Sequence, residues 1–196
     1  GLQHQDGHSH ILASVIPNCR AYDPCFADEL AVIIQQGIRE MLEEQVDVFY
    51  YVTLMNQNYT HVALPKDAEA GVLKGMYLLQ ASPLASTKRV LLLGSGTILL
   101  DVLEAAKILA TLGVAADVWS VTSFTELRRD GLANPQQPFV TQCLAHHSGP
   151  VIAATDYVRT LPDLIRPFIR SPYYTLGTDG FGRSDQRAKL RKFFGV

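Results

Sequence analysis

Cysteine is scarce in this chain: Cys19, Cys25 and Cys143 are the only three among 196 residues. The count is odd and no framework spacing relates them, which argues against a disulfide-stapled fold and fits a reducing cytoplasm. An excess of one charge is also lacking. Lys and Arg number 17 against 19 Asp and Glu, a net −2, so the chain carries no broad electrostatic footprint for nucleic acid. Its one basic cluster (Arg183, Arg187, Lys189, Arg191, Lys192) is expected to be a solvated helix face rather than a phosphate site. No apolar run reaches the roughly 18 residues of a membrane span, and the longest candidate is broken by Gly94, Ser95, Gly96 and Asp101. No signal peptide or internal repeat is recognised. Charged residues make up 18% and apolar residues 47%. That balance excludes a disordered chain and leaves one ordinary domain, or one and a half small ones, with a real core.

Histidine is concentrated where the rest of the sequence is sparse. His4, His8 and His10 lie within the first ten residues, beside Asp6 and two glycines. So many titratable groups on so flexible a backbone read as an active-site loop rather than as core. With no fold before it to hold it, the loop also suggests the downstream part of something larger. His-x-His with a third histidine four residues earlier is compatible with a metal site. It is equally compatible with proton chemistry and substrate orientation, since imidazole titrates near neutral pH. A tag remnant is disfavoured by Asp6 and Gly7.

Beyond the loop the apolar period sets the elements. Asp28 to Met41 predicts a helix with Leu30, Ile33, Ile34, Ile38 and Met41 on one face. Val48 to Leu54 predicts a buried strand, and the polar stretch 56–59 leaves it at its C-terminal end. A short helix within Pro65 to Gly75 and an edge strand over Met76 to Ala81 follow. Pro83 to Lys88 reads as a linker. Strands are then expected at Arg89 to Leu93, Asp117 to Val121, Val151 to Thr155 and Tyr173 to Leu176. Helices are expected at Ile98 to Leu112, Phe139 to Ala145, Thr160 to Arg170 and Asp185 to Phe194, the last capped by Ser184. Strands separated by helices of this length imply crossovers and a mostly parallel sheet.

Three further motifs are ambiguous from the residues. The Gly94-Ser95-Gly96 turn between strand and helix could hold an anion, but Leu stands at position 99 where the dinucleotide fingerprint needs glycine. A plain tight turn is the simpler reading. Thr178 to Gly182 with Arg183 is either an anion loop or a sharp bend at a sheet edge. Glu126 and Asp130 around Arg128 and Arg129 read as surface charge, and Cys143 near His146 and His147 as a partly buried helical cysteine.

Several strings, in order, closely resemble the homodimeric type of bacterial pyruvate dehydrogenase first component, of the transketolase superfamily. They are Gly1 to His10, Ile16 to Cys19, Tyr22 to Pro24, Tyr50 to Thr53 with Asn56 to Tyr59, Leu93 to Gly96, Ser120 to Leu127 with Arg129 to Gly131, Ala154 to Tyr157, and Leu176 to Asp185. The resemblance implies an α/β chain with two parts. Residues 1–83 would be the end of a thiamine pyrimidine-binding domain. Residues 84–196 would be a transketolase C-terminal-like three-layer α/β/α domain with a mostly parallel sheet, short of its last segment. It implies thiamine diphosphate and Mg²⁺ as cofactors, held mainly by parts absent from this chain, since the Gly-Asp-Gly motif does not occur here. The glutamate that activates the aminopyrimidine would also lie upstream. It implies decarboxylation of pyruvate, transfer of acetyl to lipoyl groups of an acetyltransferase component, a homodimer and a cytoplasmic location. Neither nucleic acid nor a membrane is an implied partner. By position it gives His10 the active-site role, with His4, Asp6 and His8 on the same loop. Two competing readings are a structural or dimerisation module and a small histidine-loop metalloprotein.

Overall fold

The computed structural model describes residues 6–147 and 149–195. Two sheets organise it. A small parallel sheet joins β1 (Cys19–Tyr22) to β2 (Phe49–Val52). A five-stranded sheet has the order β3 (Met76–Gln80), β5 (Ala115–Val121), β4 (Arg89–Gly94), β6 (Val151–Ala154), β7 (Tyr173–Leu176). All its neighbours are parallel except β3, an antiparallel edge strand on β5. β3 precedes the division expected at residue 83 yet belongs to this second sheet.

Central strand β4 shows why the sheet is covered on both faces. Leu91 and Leu93 enter one core with Trp119, Val121, Phe124, Leu127 and Val151. Val90 and Leu92, the alternate residues, enter the other with Ile98, Leu99, Val102 and Val118. A strand buried on both sides reads as a continuous apolar run, as Arg89 to Leu93 does. Helix α4 (Ile98–Thr111) covers the second face. Helices α5 (Phe124–Ala133), α6 (Phe139–Leu144) and α7 (Thr160–Asp163) cover the first. The result is a three-layer α/β/α arrangement with a mostly parallel sheet. Among the described residues, no helix is long and apolar enough to cross a membrane.

Several expectations need correction. The N-terminal stretch is not all loop: Ser9–Ser14 form helix α1, and His10 is buried in its first turn. Asp6 organises this start, accepting the backbone N–H groups of His8 and Ser9 at 3.1 Å each. Helix α2 (Ala27–Ile38) buries Glu29, Ile33 and Gly37, not the whole predicted apolar face. Ile34, Ile38 and Met41 stay exposed, because those positions lie about 100° round the helix from the buried stripe. The α2 path ends in a π turn at Arg39–Glu43. Strand β2 is only half-buried, since among the described residues it pairs with β1 alone. The helix expected over 160–170 stops at α7, which holds Pro162 in its first turn, and Pro167 opens a separate 3₁₀ turn at Arg166–Phe168. The last helix, α8, spans Arg187–Phe194 after Gln186, and Ser184 does not cap it. Helix α3 (Glu69–Lys74) lies within the expected Pro65 to Gly75 stretch, and α4 and α6 each end one residue before the predicted place. Helix α5 was not anticipated.

Candidate active site at the strand ends

Parallel strands all end on the same side, so the residues that follow them gather there. Asp23 follows β1, Thr53 follows β2, Ser95-Gly96-Thr97 follow β4, Asp156-Tyr157 follow β6, and Thr178 lies beyond β7. A cleft of about 470 Å³ opens at this edge. Its lining includes Asp6, Asp23, Thr53, Thr97, Asp156, Tyr157 and Thr178, together with Arg183, Asp185, Arg187, Leu190, Arg191 and Phe194.

Asp23 is the hub of the floor. Its carboxylate accepts the Thr53 hydroxyl at 2.7 Å on one oxygen and the Ser95 hydroxyl at 2.7 Å on the other. Its backbone carbonyl accepts Gly96 N–H at 2.9 Å, and its own N–H donates to the Thr122 carbonyl at 2.8 Å. One residue therefore ties the ends of β1, β2, β4 and β5 together. Gly96 has a left-handed backbone, φ +58°, and a Cβ there would stand 2.4 Å from an Asp23 oxygen. Both facts require glycine. They also decide between the two readings of the Gly94-Ser95-Gly96 turn: the protein's own carboxylate fills it. Desolvation pushes the Asp23 carboxyl up to about 6, against the two hydroxyl bonds that lower it.

His10 lies one contact behind this floor. Its Nε2 is 2.8 Å from the Thr53 hydroxyl oxygen. Its ring meets Tyr157 edge-on at 4.8 Å between centroids and Tyr51 at 5.4 Å. Burial drives the imidazole down to about 4, opposed by the charge of Asp6, so at neutral pH it is uncharged. The hydrogen bonds fix a direction. With Asp23 ionised, Thr53 spends its single proton on the carboxylate and can only accept from His10. His10 Nε2 then carries the proton and Nδ1 the lone pair.

The other predicted site residues are spread more widely. Asp6 lines the cleft and caps α1; burial raises its carboxyl, but hydrogen bonds from Ser9 and His8 outweigh this and hold it below the usual range. His8 is exposed at the N-cap of α1. His4 lies outside the described residues. Sequence reasoning missed Asp23, Thr53 and Asp156, whose signal was their place at the end of a strand, and it noted Ser95 only as part of a glycine turn. It also misread Glu126 as surface charge. That residue is buried, holds Arg20 at 2.7 Å and Arg129 at 2.8 Å, and so clamps α5 of the large sheet to β1 of the small one. Cys143 sits half-buried on α6, its thiol pushed up to about 11 by burial. That makes it a packing residue rather than a nucleophile.

Comparison with known proteins finds two successive family matches along the chain. Residues 1–62 match the pyruvate dehydrogenase E1 component middle domain, and residues 75–196 the transketolase-like C-terminal domain. The chain is 57% identical to the pyruvate dehydrogenase E1 component of Pseudomonas aeruginosa and 47% identical to that of Escherichia coli K12. The whole chain aligns with each, but it covers only 24% and 23% of their lengths. The fold is also that of transketolase from Campylobacter jejuni, at a TM-score of 0.71 and 22% identity over 100% of this chain and 27% of that one. A split-gene transketolase, described as an inactive β4 tetramer, superposes at 0.65 with 15% identity over 100% of this chain and 59% of that one. The C-terminal match takes in more than half of the residues, and the chain therefore belongs to the family of transketolase-like C-terminal domains.

Proposed function

We propose that this chain is part of a thiamine-diphosphate-dependent pyruvate dehydrogenase subunit and is inactive alone. In this reading the whole subunit decarboxylates pyruvate and passes the acetyl group to lipoyl groups of an acetyltransferase component, in the cytoplasm and as a homodimer. The observation that carries it is the His10–Thr53–Asp23–Ser95 hydrogen-bonded chain at the edge of the strand-end cleft. Through it the histidine that the E1 resemblance singles out stands one hydrogen bond behind Thr53, a residue of the cleft lining. The proposed division assigns residues 1–83 to the pyrimidine-binding domain and 84–196 to the C-terminal domain, with β3 as the strand the first part contributes to the second.

The residues present do not fit the diphosphate and its metal. Among the described residues no three His, Cys, Asp or Glu side chains come together as a metal site, and Asp23 occupies the glycine turn that could have cradled phosphate. Both groups are accordingly proposed to be held by the portions of the relatives that this chain does not span. When bound, the cofactor would act as the electron sink for loss of carbon dioxide. This chain's task is orientation. His10 stays neutral, its ring is fixed by Tyr51, Tyr157 and Thr53, and its hydrogen-bonding reach into the cleft runs through Thr53. Asp6 and His8 are proposed to line the approach, with His4 on the same segment.

A second reading, a module for subunit contact, is favoured by the exposed Ile34, Ile38, Met41 and Leu42 on one side of the α2 path. Calorimetry with thiamine diphosphate and Mg²⁺ separates the two. The chain is titrated alone and then after mixing with the remaining portion of a relative's subunit. Binding only in the mixture, with pyruvate decarboxylation that falls about a hundredfold for His10→Ala, is the expected result. No binding in either arrangement leaves the contact module standing.

A further inference from the structure

Besides Asp23 and its neighbours, the cleft is lined by three arginines, Arg183, Arg187 and Arg191, with one aspartate, Asp185, among them. Helix α8 turns Arg187, Leu190, Arg191 and Phe194 toward the cleft, the positions i, i+3, i+4 and i+7 of a single helical face. A helix serving only as a cover would carry apolar residues at all four. Arg183, Arg187, Lys189 and Lys192 are exposed, as expected of a solvated face, and Lys189 pairs with Asp185 at 3.4 Å.

The three cleft-facing guanidinium groups have specific vacancies. Arg191 bonds Asp101 through one terminal nitrogen, but its Nε is buried with no hydrogen-bond partner. A buried donor left without a partner costs free energy and asks for an acceptor. Arg187 reaches only the thioether sulfur of Met55, at 3.4 Å, and sulfur is a weak acceptor. Arg183 lies over the Phe193 ring at 5.7 Å. Among the described residues neither Arg183 nor Arg187 forms an ion pair with a carboxylate. The aspartates of the cleft have other partners: Asp23 holds Thr53 and Ser95, Asp156 holds Thr97, Asp6 holds the start of α1, and Asp185, which lines the cleft beside the arginines, pairs with Lys189.

We propose that Arg187 and Arg191, assisted by Arg183, form a receptor for one oxyanion group of a small ligand bound in this cleft. Guanidinium groups match carboxylate and phosphate oxygens in geometry and charge. The aspartate side would meet hydrogen-bond donors of the same ligand, and a cleft of about 470 Å³ suits a small molecule. The inference rests on the cleft being a ligand site, not on the thiamine chemistry.

The test is a titration of this chain, followed by NMR, with inorganic phosphate and separately with acetate. Ionic strength is held constant with sodium chloride. Saturable binding with a Kd on the order of 1 mM is expected for at least one anion. Whichever binds more tightly identifies a phosphate-bearing or a carboxylate-bearing ligand. Arg187→Ala should weaken binding about tenfold. Arg191→Lys keeps the charge beside Asp101 but removes the Nε donor, and should weaken it severalfold. Lys107→Ala, on an exposed part of α4, should change nothing. Circular dichroism confirms that each variant is folded. If neither anion saturates above chloride, or if Arg187→Ala binds as tightly as the parent, the receptor does not exist. The readout needs no thiamine cofactor, so a failed reconstitution leaves it intact and its own failure leaves the decarboxylase reading untouched.

Discussion

His10 and Asp23 share Thr53 as a neighbour, and burial favours the uncharged form of each. The consequences for stability run in opposite directions. Asp23 is raised to about 6 from 3.8, so between those values the folded state binds more protons than the unfolded one and stability falls as pH rises. His10 is lowered to about 4 from 6.5, so the unfolded state binds more protons over that range and stability rises with pH. Each displacement corresponds to about 3 kcal/mol, and the two largely offset. In His10→Gln, urea unfolding should therefore show stability dropping from pH 4 to pH 6. In Asp23→Asn it should show stability climbing from pH 4 to about 6.5. Parallel profiles in both variants would dissolve the pairing. The tautomer gives a second check. At pH 7.5, nitrogen-15 spectra should find His10 protonated at Nε2, with that proton slow to exchange, and Thr53→Val should remove the protection. Of this site the sequence revealed the histidine, because a histidine run is conspicuous. It did not reveal Asp23, because a strand-end aspartate before a proline also fits a helix start. Glu29 was hidden for a related reason, lying in an apolar stretch with no local hint of partners. It is buried, accepting Tyr77 and Ser120 on one oxygen and the N–H groups of Cys25 and Phe26 on the other. The two N–H groups can only donate, but the two hydroxyls can also accept, so the amide of Glu29→Gln can turn its NH₂ to them; Glu29→Gln should cost about 1–2 kcal/mol in thermal unfolding and Glu29→Ala about 2–4 kcal/mol.

Helices and strands were legible in proportion to how much of their burial comes from one clean pattern. The strands β4, β5, β6 and β7 are covered by helices or neighbours, and their β-branched and apolar runs announced them. Helix α5 escaped because its sequence is polar overall and its buried members include Thr125 and Glu126, held by hydrogen bonds rather than by an apolar stripe. Helix α2 was found but turned wrongly, since it carries apolar residues on two adjacent stripes and only one is covered. The difference is measurable. Ile33 is fully buried, and Ile33→Ala should cost about 2–4 kcal/mol by opening a cavity against Tyr22, Val72 and Tyr77. Ile34 and Ile38 are each 47% exposed, so the double replacement Ile34→Lys with Ile38→Lys should change the stability of the folded chain by less than about 1 kcal/mol. Equal losses for the two would mean that the outer stripe is packed after all.

The molecule as a whole is two sheets of unequal completeness held by two polar clamps. Asp23 joins the strand ends, and Glu126 bridges Arg20 on β1 to Arg129 on α5. Such long-range polar contacts cannot be read from a local pattern, which is why the sequence showed both parts but not what fastens them. The five-stranded sheet is covered on both faces. The two-stranded one is not: Phe49 on β2 is 43% exposed and Leu42 70% exposed, beside the uncovered stripe of α2. Apolar surface on this scale, next to a strand paired on one side only, promotes association. The chain spans about a quarter of the length of its E1 relatives. Sedimentation velocity across a range of chain concentrations should show a weight-average coefficient that climbs with concentration. The Ile34→Lys, Ile38→Lys variant should hold near the monomer value. Because the same substitutions leave stability nearly unchanged, a shift toward monomer can be assigned to the surface and not to unfolding. A wild-type chain that sediments as a monomer throughout would show that this exposed face is tolerated by water, and the contact-module reading would lose its physical basis.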